Sequence, residues 1–114
     1  MQNETEQGIQ KAIIDYLRLK KFVAFKHHST GSTIREGKAV FFKHGDRGIA
    51  DVIGCSPSGR FIAIEVKKKG GKPSEEQIQF IESVNASGGI GIIAYSLDDV
   101  VGKVGDTRAS ATLH

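Results

Sequence analysis

Three charged residues, Asp51, Glu65 and Lys67, are embedded in apolar runs that read as strands. Within Gly48 to Lys67, GIADVIGCSPSGRFIAIEVK, Asp51 is followed by Glu65 and, two positions later, by Lys67, in the pattern D-X(13)-E-X-K. Phe61 to Lys67 alternates, so Phe61, Ala63, Glu65 and Lys67 share one face of a strand and Ile62, Ile64 and Val66 share the other. Burial of such a strand takes carboxylates out of water, which is costly unless something compensates them. A divalent cation between Asp51 and Glu65, with Lys67 beside it, would compensate them and do hydrolytic chemistry. The competing reading is a solvated sheet edge, where strand-end acids and a Lys run discourage pairing between sheets. Asp51 favours the first reading, because it lies between Gly48-Ile49-Ala50 and Val52-Ile53-Gly54 and not at a polar edge.

The elements that must position these residues are legible as an alternation of periods. Ile9, Ala12, Ile13, Tyr16 and Leu17 form the stripe of an amphipathic N-terminal helix, with Asn3 and Glu6 as a candidate capping box. Phe22 to His27 and Ala39 to Phe42 read as strands, and the polar, basic stretch from His28 to Lys38 reads as a loop. Ala50 to Ile53 runs into a turn at Ser56-Pro57-Ser58-Gly59, and the strand from Phe61 to Lys67 completes a hairpin. Lys67 to Lys72 is a basic, Gly-containing linker. Ser74 and Gln77 make an S-x-x-Q capping box for a second helix, whose stripe is Ile78, Ile81 and Val84 and whose stop is Gly88-Gly89. Ile90 to Tyr95 is a strand, expected to run parallel to the one before the helix through a right-handed crossover. A last short helix begins near Ser96, and the tail from Asp106 is expected to be loose. The order assigned to the core is α-β-β-β-α-β, one strand and the last short helix fewer than the runs read above, and the class is α/β with a mixed sheet flanked by helices.

The chain has 114 residues, which fits one domain spanning 1–114. No apolar run approaches the length of a bilayer span, and the start carries no secretory pattern, so no membrane partner is expected. Cys55 is the only cysteine, which rules out an intrachain disulfide and fits a reducing, cytoplasmic setting. The net charge of +3 is unevenly spread: residues 18 to 72 hold 13 Lys and Arg against four acids, and residues 73 to 106 hold six acids and one Lys. That asymmetry implies one side facing a polyanion. Other constellations do not form. Gly70-Gly71-Lys72-Pro73-Ser74 lacks phosphate-loop spacing. His27, His28, His44 and Cys55 do not make a zinc pattern, although His27 or His28 could still touch phosphate.

Four pieces of sequence together resemble the VRR-NUC domains of the PD-(D/E)XK nuclease superfamily. They are E-x-x-x-Q at Glu6 and Gln10, G-x-A-D-V-I-G around Asp51, F-I-A-I-E-V-K ending at Lys67, and P-S-E-E-Q ending at Gln77. The resemblance runs from Glu6 to about Val101, with Ala50 where the superfamily's nominal proline stands. It implies a restriction-endonuclease-like core and a metal-dependent endonuclease acting on DNA. In that frame Asp51, Glu65 and the carbonyl of Val66 would ligate Mg²⁺ or Mn²⁺, hard ions suited to oxygen donors. Lys67 would hold the attacking water or neutralise transition-state charge, and the second role suits an ammonium beside two carboxylates. Glu6 would complete an outer shell or a second metal position, with Glu4 as the rival acid. Gln77 would hydrogen-bond the nucleophile or Lys67, or serve only as a cap. Stand-alone members of the group resemble Holliday-junction resolvases, which implies a homodimer and a preference for branched DNA. Phosphate contacts are expected from Lys20, Lys21, Lys26, Arg35, Lys38, Lys43, Lys68, Lys69 and Lys72. The alternative is a non-catalytic nucleic-acid-binding module on the same fold, which would have no reason to bury the acids.

Overall fold

The computed structural model describes residues 5–27, 32–35, 38–41 and 48–112, with only the backbone described for 32–35, 38–41 and 106–112. Asn3, Glu4, His28, Lys43, His44, Asp46 and Arg47, each named above or flanking the motifs, lie outside the described residues. So do the side chains of Arg35 and Lys38.

Helix α1 (Glu6–Leu19) buries Ile9, Gln10, Ile13, Ile14 and Leu17 along one side. Its cap is Thr5, whose Oγ1 accepts from Gly8 N at 2.9 Å, in place of the expected Asn3–Glu6 box. Glu6 is therefore the first helical residue and its carboxylate is free for other work. The chain turns out of α1 with Lys21 in the left-handed region at φ 72°, and Phe22 N donates back to Leu17 O at 2.9 Å. This is the usual helix-ending pair of bonds with a lysine where glycine is favoured.

Strands β1 (Val23–Lys26), β4 (Val52–Cys55), β5 (Phe61–Val66) and β6 (Ile90–Ala94) form a four-stranded sheet in the order β1-β4-β5-β6. Strands β1 and β5 each run antiparallel to β4, and β6 runs parallel to β5. The parallel pair follows from helix α2 (Glu75–Ala86) between them, since only a crossover connection can return the chain in the same direction. Read along this sheet the order is the anticipated α-β-β-β-α-β. Between β1 and β4 the chain inserts a separate antiparallel ribbon, β2 (Ser32–Arg35) with β3 (Lys38–Phe41). Strand β2 replaces part of the expected loop from His28 to Lys38, and β3 matches the strand expected at Ala39 to Phe42. Helix α3 (Leu97–Thr112) is also longer than the single short helix expected, and runs through Asp106.

Helices α1 and α3 cover one face of the sheet and α2 covers the other. On the first face Ile62, Ile64 and Val66 of β5 meet Ile9, Ile13, Leu17, Val100 and Val104 in the larger apolar cluster. On the second, Ala50 and Ala63 meet Ile81 and Val84 in a smaller one. Ile78, expected in the α2 stripe, is 37% exposed, while Phe80 packs at the edge of the smaller cluster. Among the described residues no helix is long and apolar enough to cross a membrane.

Candidate functional site

The register places the two acids side by side. Val52 pairs with Ile64, so one rung further Asp51 stands opposite Glu65 across the β4–β5 ladder. On the other flank His27 N donates to Asp51 O at 2.7 Å, which extends the β1–β4 ladder by the same rung. His27, Asp51 and Glu65 thus form a transverse row at one end of the sheet, on the face that α2 covers. Glu65 is 2% exposed, on a central strand, and so is not the solvated edge that its sequence context also allowed.

The hydrogen bonds of this row are specific but incomplete. Asp51 Oδ2 accepts from Val66 N at 2.9 Å, so the aspartate is held by the backbone of the strand that carries its partner. Glu65 Oε2 accepts from Gln77 Nε2 at 2.9 Å, and Lys67 Nζ stands 3.9 Å from the same oxygen, beyond hydrogen-bond length. Glu65 Oε1 is buried with no hydrogen-bond partner among the described residues, as are His27 Nδ1 and Gln10 Oε1. Burial first, and then the neighbouring Asp51 carboxylate, push the Glu65 pKa up to about 8; Lys67 pulls it down and Glu6 pushes it further up. At neutral pH the bare site keeps a proton where two adjacent carboxylates cannot both be charged.

Both helix N-termini converge on this end. Gln77 lies in the first turn of α2, where its Oε1 accepts from Ser74 N at 2.7 Å and its N–H donates to Ser74 Oγ at 3.1 Å. The capping box is complete, and it leaves Nε2 free to reach Glu65. The cap and the site contact are therefore one device, although the partner is Glu65 and not Lys67 or a nucleophile. Glu6 Oε2 accepts from Lys68 N at 3.1 Å, which ties the start of α1 to the exit of β5. Lys67 N donates to Ala94 O at 2.9 Å, so the strand pairing continues through the lysine. The sequence reading overlooked Gly48. It sits at φ 80°, and a Cβ there would come within 2.5 Å of Glu76 O and 3.0 Å of Gln77 N. Only glycine lets the approach to Asp51 pack against the turn that holds Gln77. The signal was on view in the G-x-A-D motif, but nothing in a sequence says which backbone the glycine must approach.

Residues 4–97 match the VRR-NUC domain family. The chain belongs to that family. VRR-NUC domains are members of the PD-(D/E)XK nuclease superfamily, so this chain is of a nuclease class that acts on DNA. A solved structure described as a VRR_NUC domain superposes with a TM-score of 0.60 at 20% identity, covering 89% of this chain and 96% of that one. At that identity the likeness speaks for the fold alone. No curated protein matches the chain.

The donors present fit a hard divalent cation. Among the described residues no three His, Cys, Asp or Glu side chains cluster as a ready-made cage. Two carboxylates do stand together, one of them with an unpartnered buried oxygen. Two side-chain oxygens would leave the rest of an octahedral shell to backbone, water and substrate.

Proposed function

We propose that this VRR-NUC domain is a Mg²⁺- or Mn²⁺-dependent endonuclease that hydrolyses DNA phosphodiester bonds, with preference for branched DNA such as four-way junctions. The observation that carries the reading is the pairing of buried Glu65, one oxygen unsatisfied, with Asp51 in the next strand. A folded chain gains nothing in stability from such a pair, so the pair is there to hold something positive.

Asp51, Glu65 and the carbonyl of Val66 are the ligands in this reading. The bound ion supplies Lewis acidity toward the phosphate and a water of lowered pKa. Val66 N–H fixes Asp51 and Gln77 Nε2 fixes Glu65, so both carboxylates are oriented before anything binds. Lys67, mostly buried beside Glu65, offers its ammonium to charge that builds on the phosphoryl oxygens. Glu6 completes the outer shell and pins the strand exit through Lys68 N.

The basic residues divide by position. Lys26, Lys68, Lys69 and Lys72 are exposed and belong to the site end of the sheet and the linker leaving it. Lys20 and Lys21 close α1 at its far end, roughly 21 Å from Glu6 at the helical rise. In this reading the first group holds the phosphates around the cut and the second meets a more distant part of the duplex, with Arg35, Lys38 and Lys43 as further phosphate contacts. A homodimer would present two such faces at a fixed separation, which a branched duplex can bridge and a linear one cannot.

Cleavage of labelled duplex, flap, splayed-arm, single-stranded and four-way-junction DNA, with Mn²⁺ or with excess chelator, tests the proposal. Metal-dependent strand cutting, strongest on a branched substrate, is the expected result. Cutting in chelator, or no cutting of any substrate with Mn²⁺, would overturn it.

A further inference from the structure

Next to the catalytic row the same sheet face is open and aromatic. Phe25 pairs with Ile53, two rungs inward from the His27–Asp51 rung, and Val23 pairs with Cys55 two rungs beyond that. Ala24, between them, points into the larger core with α1, so Val23 and Phe25 point to the face of Asp51 and Glu65. Helix α2 packs on β5 and β6, and among the described residues no helix covers the β1 side of this face. Phe25 is 46% exposed and Val23 64%.

An exposed phenylalanine on an edge strand is a liability unless something covers it. Its position names the occupant. Phe25 lies two residues, about 7 Å along the strand, from the row that would hold the scissile phosphate. That is the reach of a base from its neighbouring phosphate. Lys26, between Phe25 and His27, is exposed but points to the opposite face of the strand, so the charge of this edge lies behind the ring and not beside it. A flat, exposed apolar ring within a base's reach of that row is a surface on which an unpaired base stacks, whereas a paired base keeps its faces inside the duplex.

We propose that Phe25 is a stacking platform for an unpaired nucleobase flanking the cut, which makes unpaired nucleotides beside the scissile bond a determinant of substrate choice. The proposal rests on the nuclease reading for the place of the phosphate, and it specifies which feature of branched DNA is recognised.

The chain contains no tryptophan, so Phe25→Trp installs a single fluorescent reporter at the platform. With Ca²⁺ in place of Mn²⁺ to limit cutting, single-stranded and flap oligonucleotides should quench that emission, and blunt duplex should not. Phe25→Ala should weaken binding of the single strand about tenfold more than binding of the duplex. Equal quenching by blunt duplex would overturn the proposal. So would emission already blue-shifted in the free protein and indifferent to DNA, since a second copy of the chain would then cover Phe25. If the unsubstituted protein cuts no DNA with Mn²⁺ while the quenching is still seen, the nuclease reading fails and the stacking platform stands.

Discussion

Strand β5 turns Ile62, Ile64 and Val66 toward α1 and α3, and turns Ala63, Glu65 and Lys67 toward α2, so neighbouring residues on one backbone do opposite things to stability. The first set is fully buried in the larger cluster, and each side chain there contributes apolar area removed from water. The second set has one small residue in the smaller cluster, then a buried carboxylate with an unsatisfied oxygen, then a lysine. The difference teaches where a small domain can keep a site: on the sheet face that is not needed for most of the core, held by the end of the strand that the other face anchors.

The sharpest way to break that comparison is a substitution on each side of the same strand. Ile64→Ala should cost about 2–5 kcal/mol, because α1 and β5 cannot close fully over the lost methyls. Glu65→Gln should do the reverse in the metal-free protein at pH 8, raising stability by removing a charge that burial disfavours while keeping an amide for Gln77. Urea unfolding of both variants beside the parent checks the pair. Loss of stability in both would mean that Glu65 is a structural residue.

The pH profile sharpens the same contrast. Glu65 is raised from 4.5 to about 8, so the folded state binds its proton more tightly than the unfolded chain does. The resulting stability is fully present below about pH 4.5 and is lost as pH rises through about 8, at no more than about 1.4 kcal/mol per pH unit. Thermal unfolding in chelator should therefore show a falling limb between pH 5 and 8, which Glu65→Gln flattens. Mn²⁺ should restore stability to the parent at pH 8 and not to the variant, since a ligand stabilises only the state that binds it.

What the sequence made legible follows the same physics. The alternation of Phe61 to Lys67, the α1 stripe and the Ser74–Gln77 box are local patterns, and each is in the structure where it was read. Of the β2–β3 ribbon, β3 is the strand read at Ala39 to Phe42, while β2 was missed because Ser32-Thr33-Ile34-Arg35 carries no apolar alternation; it rests on its cross-strand bonds, which involve a partner that the local pattern does not show. The α1 cap is Thr5 and not Asn3, since which of two nearby cap-forming residues is used depends on how the chain enters the helix. Helix α3 was under-read because Gly102 and Gly105 dilute its pattern. The transverse row of His27, Asp51 and Glu65, and the contact of Gly48 with the α2 turn, are matters of register between strands and helices. Residue types announced the acids, but not the neighbour that holds each one.

Smaller effects test those neighbours. Gln77→Ala should cost about 1 kcal/mol through the lost cap. It should also lower cleavage, because Glu65 loses the donor that orients it. Glu6→Ala should cost less in stability, since Thr5 carries the cap, and should weaken cleavage by loosening the exit of β5 at Lys68. Turnover measured at saturating DNA separates these losses from weakened binding.

The most direct test of the central claim is single-turnover cleavage of a labelled branched DNA by the parent and by Asp51→Ala, Glu65→Gln and Lys67→Ala, each verified as folded, with Mn²⁺ and with chelator. Metal-dependent cutting by the parent, with a loss on the order of a hundredfold or more in every variant, is the predicted result. Near-parental turnover in any one of the three, or cutting by the parent in chelator, would contradict the assignment of that row as the active site.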